Sequence, residues 1–331
     1  MLRTMIAGTG YYVPERVVTN EDLTRLMDTS DAWIVERTGI RERHWVDEGM
    51  SGAEMARRAS EMALRDAGME ASDVDAIVFA TLSPDHFFPG TGVFLQRELG
   101  LEGIPAIDVR AQCSGFVYGL SVADAFVRTG QYRTILLVGV EIQSTGIDIS
   151  TGGRDMAILF GDGAGATVLT TSEDGGRGVL STHLHADGRY AEMLWAEFES
   201  SVHHPRITSE IIESGRHYPT MDGKEVFKHA VVRMPEVVEE ALAANGLTAG
   251  DLDLLVPHQA NLRITQMVQR RLGLSDAQVV SNIHKYGNTT AATIPIALAE
   301  AVAEGRLKKG DLVCLVAFGS GFTWGAALVR W

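Results

Sequence analysis

The sequence predicts an α/β protein built from two similar halves, in which helices cover mixed or parallel sheets. Two internal repeats support this prediction, and the two copies of each are separated by the same number of residues. We call these pairs of similar segments the first and second echoes. EMALRDAGMEASDVDAIV (61–78) parallels EEALAANGLTAGDLDLLV (239–256), and ILLVG (135–139) parallels VCLVA (313–317). Because strand and helix alternate in each half, we expect five layers, α-β-α-β-α, with pseudo-two-fold symmetry.

Each copy of the first echo predicts the same order of elements. An amphipathic helix stops at a glycine, Gly68 or Gly246, and a short acidic turn then leads into a buried strand. The halves are expected to span residues 1–172 and 173–331, with the boundary near Thr171–Gly176. Residues 186–223 have no counterpart in the first half and are predicted to be an inserted loop region.

A third echo, with a slightly shorter offset, aligns 114–130 with 289–305. It places Cys113 on Asn288, each immediately before an equivalent helix. The sequence therefore predicts that these two side chains face each other across the pseudo-dyad.

Composition narrows the class of function. The 331 residues include 43 acidic and 29 basic ones, a net charge of −14, which argues against a general nucleic-acid binder. We expect no secretory signal, and no window approaches the roughly 20 apolar residues of a membrane span. The only cysteines are Cys113 and Cys314. We therefore expect a cytoplasmic location and no disulfide scaffold.

Cys113 lies between a β-type run, 107–109, and a helix predicted to begin with Ser114 and Gly115. A thiol at a helix start meets free N–H groups and the positive end of the helix dipole, and both favour the thiolate. Taken alone, Cys113 is equally consistent with a reactive nucleophile and with a buried, inert cysteine. Cys314, inside the apolar run VCLVA, is predicted to be a core residue.

His258 and Asn288 are candidate partners of this cysteine, and the topology that they share with Cys113 favours a catalytic role for them. His258 directly follows a predicted strand in LLVPHQAN, at the sheet edge where α/β sites form. Asn288, in KYGNTTAA, lies at a glycine turn before a helix. Each alone would be read as a structural residue or a helix cap. No set of Cys and His residues has metal-ligand spacing, and GDGAGA lacks the lysine of a phosphate-binding P-loop.

Motifs along almost the whole chain resemble the β-ketoacyl-acyl carrier protein (ACP) synthase III family of the thiolase superfamily. They are DAWIVERTGIRERH (31–44), QCSGF, LFGDGAGA (159–166), STHLHADG, EVFK, VPHQANLRI, GNTTAATIP and FGSGFTWGAALVRW. The resemblance implies a thiolase fold, a cytoplasmic homodimer and an acyltransferase that needs no cofactor. Its reaction would load an acyl group from acyl-CoA onto cysteine and condense it with malonyl-ACP, initiating fatty-acid or related biosynthesis.

The resemblance also implies a role for individual residues. The catalytic set would be Cys113, His258 and Asn288, with the backbone N–H groups of Cys113 and Ser320 as the oxyanion hole. CoA binding is implied for Trp33, Arg37, Thr38, Arg154 and Asn261. The implied acyl pocket contains Gln112, Phe318 and a Phe88 that each subunit lends to its partner in the dimer. Docking of ACP is implied for Lys228, Arg263, Arg270 and Arg271. Arg270 and Arg271 could equally form a solvated helix face.

Two departures from the family pattern leave the acyl substrate open. Gln112 stands where simple fatty-acid initiators carry a small residue, and the segment 190–223 is longer than in short housekeeping enzymes. QCSG more closely resembles secondary-metabolite and quinolone-forming members. An acyltransferase acting on an oxygen or nitrogen nucleophile shares the same triad. A non-catalytic partner subunit is disfavoured because the triad is complete, and a biosynthetic thiolase because Cys314 lies in an apolar strand.

Overall fold

The computed structural model describes residues 2–172 and 176–331, so residues 173–175 of the predicted boundary lie outside the described residues. The strands in chain order are β1 (Arg3–Tyr12), β2 (Val17–Thr19), β3 (Glu42–His44), β4 (Ala76–Ala80), β5 (Ala106–Val109), β6 (Ile135–Glu141), β7 (Gly163–Ser172), β8 (Gly178–Ala186), β9 (Leu194–Trp195), β10 (Thr220–Met221), β11 (Leu254–Pro257), β12 (Leu312–Gly319) and β13 (Thr323–Arg330). The α-helices are α1 (Asn20–Thr24), α2 (Asp31–Thr38), α3 (Gly52–Ala67), α4 (Thr91–Glu98), α5 (Gly115–Arg128), α6 (Arg154–Ala157), α7 (Ser209–Glu213), α8 (Gly223–Ala244), α9 (Leu262–Leu272), α10 (Ile283–Tyr286) and α11 (Thr293–Ala303).

Two mixed sheets form the frame. The first has the strand order β1-β7-β6-β4-β5, in which β4 runs parallel to β5 and β6 while β7 is antiparallel to β1 and β6. The second has the order β11-β12-β13-β8, with β11 parallel to β12 and the other neighbours antiparallel. The chain passes from the first sheet to the second between β7 and β8.

Helices cover both faces of both sheets. On the outer face of the first sheet α3 packs against β1, β6 and β7, and α4 lies beside it. Between the sheets lie α5 and α11, whose buried residues share one apolar cluster with strands of both sheets. On the far side α8 packs against the second sheet and against α9. The five-layer arrangement predicted from the repeats is therefore confirmed.

The two halves match closely where the first echo lies. Gly68 and Gly246 both end a helix in the left-handed conformation, with φ of 66° and 68°, which glycine adopts without steric cost. A 3₁₀ turn follows each of them, at Ala71–Asp73 and Ala249–Asp251, and leads to β4 or β11.

The third echo is wrong in its register. The turn Gln112–Ser114 precedes α5, and its counterpart Thr290–Ala292 precedes α11, with the same offset as the first two echoes. Helix α11 has 11 residues and α5 has 14, so the offset of the third echo describes only the ends of the two helices. The structural counterpart of Cys113 is consequently Ala291, and Asn288 lies before the equivalent turn.

The segment 186–223 contains short regular elements between its loops. A 3₁₀ turn at Gly188–Met193 leads to β9, which pairs antiparallel with β10 across α7. Leu194 and Met221, on these two strands, pack against an apolar cluster formed mainly by residues 18–45 and 147–160. The segment therefore joins the second half to the surface of the first.

Candidate active site

Cys113 lies in the turn between β5 and α5, where neighbouring backbone packs closely against it. Gln112 holds this turn with a left-handed φ of 44°, and Cys113 is only 8% exposed. Gly319, at the end of β12, faces the cysteine so closely that a Cβ there would lie 2.6 Å from Cys113 Cβ and 3.1 Å from Sγ. The space around the thiol therefore exists because residue 319 has no side chain.

Burial opposes the thiolate that the helix start was predicted to favour at Cys113. Burial and, to a smaller extent, the nearby carboxylate of Glu141 raise the pKa of the thiol to about 12. The backbone N–H groups of Cys113 and Ser320 act in the predicted direction and lower the pKa, but they do not outweigh burial. The cysteine is therefore a neutral thiol near pH 7.

His258 follows β11 and is fixed by its neighbours. Its backbone N–H donates to Val316 O (2.8 Å), and its Nδ1 lies 2.7 Å from Thr293 Oγ1. Burial lowers the pKa of the imidazole to about 3, so the ring is neutral at physiological pH. The single hydroxyl proton of Thr293 can go to Thr290 O (2.9 Å) or to Nδ1. In the second case Nε2 carries the imidazole proton and is a donor.

Asn288 is oriented by contacts on three sides. Its backbone N–H donates to Leu159 O (2.8 Å), and its carbonyl accepts from Gly161 N (3.1 Å). Its Oδ1 accepts from Thr290 N (2.9 Å). Because the amide oxygen is engaged in this way, Nδ2 is the group available to a ligand.

One cavity of about 640 Å³ brings the three predicted catalytic residues together. Cys113, His258 and Asn288 line it together with exposed or half-buried polar residues, so the cavity joins the buried triad to the protein surface. The remaining lining residues are Trp33, Arg37, Thr38, Arg154, Asp155, Ile158, Leu159, Phe160, Leu194, Met221, Gly223, Lys224, Val226, Phe227, Ala260, Asn261, Arg263, Ile264, Phe318 and Gly319.

All five residues predicted for CoA line this cavity. The guanidinium groups of Arg37 and Arg154 lie 4.4 and 4.6 Å from the centre of the Trp33 ring, within range of cation–π attraction. Asn261 Nδ2 donates to Arg37 O (3.0 Å), which ties α9 to α2. The hydroxyl of Thr38 donates to the backbone within its own helix. An aromatic face beside two cations suits a nucleotide bearing phosphates.

Of the three residues predicted for the acyl pocket, one lines the cavity and two do not. Phe318 lines the cavity and packs against Phe322, with ring centres 4.8 Å apart. Gln112 and Phe88 do not line it, and Phe88 is 80% exposed in a loop beside the first sheet. Of these three residues, a single chain therefore brings only Phe318 to the cavity.

The residues predicted to dock ACP lie on the adjacent helices α8 and α9. Lys228 pairs with Glu225 (3.1 Å), and Arg271 lies 3.9 Å from Glu236. Arg270 contacts Met267, and Arg263, which lines the cavity, lies 6.0 Å from the Phe227 ring. Two of the four thus have carboxylate partners on the same surface.

Several residues that shape the site were missed at the sequence level. Ser320, predicted only for its backbone, also donates its hydroxyl to Leu194 O. Thr293 contacts the imidazole, and Glu141 acts on the thiol from the end of β6. A threonine in the first turn of α11 and an acidic residue ending an apolar strand were the available signals.

Residues 2–172 and 176–331 contain neither a cluster of metal-binding side chains nor a helix that could span a membrane. Within those ranges no three His, Cys, Asp or Glu side chains are grouped so as to hold a metal ion. No helix in the same ranges has the length and apolar character needed to cross a membrane.

A duplicated five-layer α/β fold with cysteine, histidine and asparagine around one cavity defines a thiolase-fold condensing enzyme. Family models for 3-oxoacyl-[acyl-carrier-protein] synthase III match residues 107–188, and for its C-terminal part residues 242–331. A β-ketoacyl-[acyl-carrier-protein] synthase III of Rhodospirillum centenum is 51% identical over 100% of this chain and 99% of its own length. One of Xanthomonas campestris is 50% identical, with 98% of each covered.

Solved structures agree in fold. The 3-oxoacyl-[acyl-carrier-protein] synthase III of Aquifex aeolicus is 42% identical with a TM-score of 0.91, covering 99% of this chain and 100% of that one. The priming β-ketosynthase of the R1128 polyketide pathway is 34% identical with a TM-score of 0.90, covering 99% and 96%. The chain belongs to the β-ketoacyl-acyl carrier protein synthase III family of acyltransferases.

Proposed function

We propose that the chain catalyses decarboxylative condensation of an acyl-CoA primer with malonyl-ACP through an acyl-Cys113 intermediate. One observation carries the proposal: Cys113, His258 and Asn288 line the same cavity as a surface aromatic residue flanked by two arginines. The division of labour follows the two halves, 1–172 with the nucleophile and 173–331 with the histidine and asparagine.

In the first step the sulfur of Cys113 attacks the carbonyl carbon of the acyl-CoA thioester. The new carbon–sulfur bond to Cys113 replaces the bond to CoA, and the thiol proton leaves with the CoA thiol. The N–H groups of Cys113 and Ser320, which both act on the thiol sulfur, are suited to stabilise the oxyanion. Trp33, Arg37, Thr38, Arg154 and Asn261 would hold the nucleotide end of CoA.

In the second step malonyl-ACP replaces CoA. Nε2–H of His258 and Nδ2–H of Asn288 donate to the malonyl thioester oxygen, where negative charge develops as the bond to the carboxylate breaks and CO2 leaves. The enolate carbon attacks the acyl-Cys113 carbonyl, and the released sulfur regains a proton. A neutral imidazole suits this role because it donates without carrying a charge into the buried site.

The remaining expectations belong to the same proposal. Lys228, Arg263, Arg270 and Arg271 would meet the acidic carrier protein, since local positive charge steers an acidic partner. We expect a cytoplasmic homodimer without a cofactor. The dimer is supported by β5, which lies at the edge of its sheet, and by Phe87 and Phe88, which are exposed in the loop that precedes α4. In such a dimer Phe88 and Gln112 would complete the acyl pocket.

Release of labelled CO2 from carboxyl-labelled malonyl-ACP in the presence of acyl-CoA tests this function. Wild type is expected to release CO2 and to gain one acyl mass, and Cys113→Ala to do neither with acyl-CoA. Cys314→Ala is the matched control, because Cys314 is buried within β12 and outside the cavity. Acyl uptake without CO2 release would overturn condensation in favour of acyl transfer to an oxygen or nitrogen nucleophile.

A second candidate is the same chemistry in a secondary-metabolite or quinolone-type pathway. It is favoured by Gln112 beside the nucleophile and by the similarity to a ketosynthase that primes polyketide synthesis. Intact-protein mass spectrometry after exposure to acetyl-, branched, medium-chain and aromatic acyl-CoA distinguishes the two. Rapid loading by acetyl-CoA alone would contradict the second candidate.

A further inference from the structure

Glu141, the last residue of β6, is a fully buried carboxylate with no part in the steps above. Within its own half it accepts hydrogen bonds from Ser83 Oγ (2.7 Å), Gln143 Nε2 (3.2 Å), Leu82 N (3.3 Å) and Thr81 Oγ1 (3.4 Å). A further donor, Ala291 N at 3.4 Å, comes from the other half of the molecule. All these donors are uncharged, so polar groups rather than a cation stabilise this carboxylate.

The contact with Ala291 places Glu141 next to the turn that follows Asn288. Thr290, the preceding residue, donates its N–H to Asn288 Oδ1 and has a left-handed φ of 52°. Holding Ala291 therefore also holds the backbone that orients the Asn288 amide. Glu141 reaches this turn from the first half, which otherwise supplies the nucleophile.

The turn that Glu141 contacts lies next to the turn of the nucleophile, because a Cβ on Gly115 would lie 3.4 Å from Ala291 Cβ. The negative charge of Glu141 raises the pKa of Cys113, and burial raises the pKa of Glu141 itself to about 7. Opposite Glu141 on β7 stands Gly163, which has no charge. The neighbouring Asp162 accepts hydrogen bonds from Val46, Gln143 and Ser144 instead.

We propose that Glu141 is a positioning residue for both steps of the reaction. Its carboxylate holds the turn that orients Asn288 and places a negative charge beside the Cys113 thiol. The inference rests on the proposed roles of Cys113 and Asn288. It predicts that removing the charge makes the cysteine more reactive while weakening decarboxylation, a combination that simple loss of packing does not produce.

The test measures alkylation of the cysteines by iodoacetamide as a function of pH, quantified by peptide mass spectrometry. In Glu141→Gln we expect Cys113 to react about tenfold faster at pH 8, the effect of roughly one unit in its pKa. Cys314 serves as an internal standard, because it is fully buried and reacts only if the fold opens. Glu98→Gln, the same substitution at an exposed ion pair, should leave the profile unchanged.

Glu141→Asp keeps the charge but shortens the side chain, which withdraws it from Ala291. Cys113 should then be alkylated at the wild-type rate, while malonyl-ACP decarboxylation falls about tenfold. An unchanged Cys113 rate in folded Glu141→Gln would overturn the proposal. If Glu141→Gln opens the fold and labels Cys314, Glu141→Asp decides, and unchanged decarboxylation overturns it.

The alkylation readout uses neither CoA nor ACP. Failure of the proposed condensation would appear as full turnover in Cys113→Ala, whereas failure of this inference would appear only in the Glu141 variants.

Discussion

The turn Gln112–Ser114 in the first half and the turn Thr290–Ala292 in the second lead into the equivalent helices α5 and α11. Both begin with a non-glycine residue at positive φ, 44° and 52°. The two turns differ in the residue that ends the neighbouring strand. Gly319 leaves room beside Cys113, whereas Glu141, its counterpart at the end of β6, directs a carboxylate at Ala291.

The contrast teaches how one duplicated frame yields a single site. A positive-φ turn at a helix start directs N–H groups inward in both halves. In the first half the N–H of Cys113 acts on the thiol, and in the second the N–H of Ala291 is already bonded to Glu141. The side chain that ends the neighbouring strand therefore decides whether the turn stays open to a substrate.

The largest expected effect comes from closing the open turn with Gly319→Ala. The new Cβ would lie 2.6 Å from Cys113 Cβ, so the turn or the strand must shift. We expect acyl loading of Cys113 to fall by at least about a hundredfold, since misplacement of about 1 Å has that effect. Burst-phase acylation measures it. Gly188→Ala, where a Cβ meets nothing within 4 Å, is the control, and equal rates in the two variants would refute the steric account.

An intermediate effect is expected from Thr293→Val in the second half. Valine keeps the shape but removes the hydroxyl that, when it donates to His258 Nδ1 at 2.7 Å, leaves the imidazole proton on Nε2. Decarboxylation of malonyl-ACP should fall on the order of tenfold, with acyl loading unchanged.

Thr293→Ser retains the hydroxyl and should restore most of the decarboxylation rate. Wild-type decarboxylation in the valine variant would show that the hydroxyl does not set the tautomer.

The smallest effect tests whether the two turns are equally strained. Gln112→Gly and Thr290→Gly each relieve a positive φ but add freedom to the unfolded chain, so the free energy of unfolding should change by less than about 1 kcal/mol. Ala243→Gly, at an exposed position in the last turn of α8, should lose up to about 1 kcal/mol. Urea denaturation measures all three. If the free energy of unfolding falls well below that of Ala243→Gly for only one of the two turn variants, the two turns are not equally strained.

Patterns along the chain predicted the frame better than the environment of the site. Helix-ending glycines such as Gly68 and Gly246 are local signals, and they located both copies of the first echo and thus the layers. The equivalence of Cys113 with Asn288 was wrong because it was read from the glycines after α5 and α11, and the shorter α11 shifts the register. The common cavity nevertheless contains both side chains.

Burial and contacts between distant segments could not be predicted from the sequence. The pKa of Cys113 depends on its burial and on Glu141, which ends β6, and only the assembled sheets reveal how closely Gly319 approaches the cysteine. The hydroxyl of Ser320 reaches Leu194, which lies in the segment without a counterpart in the first half. Phe88, predicted to serve a partner, is exposed here because no described residue of its own chain covers it.

The depth of Cys113 has a consequence for what can serve as a donor. With 8% of the residue exposed at one end of a cavity and Trp33 with its two arginines toward the surface, an acyl group has to be delivered on a long, thin tether. Binding energy gathered at the far end of that tether can be used to hold the thioester against the sulfur. Short thioesters that lack the tether should therefore lose rate as well as affinity, which makes the carrier a working part of the substrate.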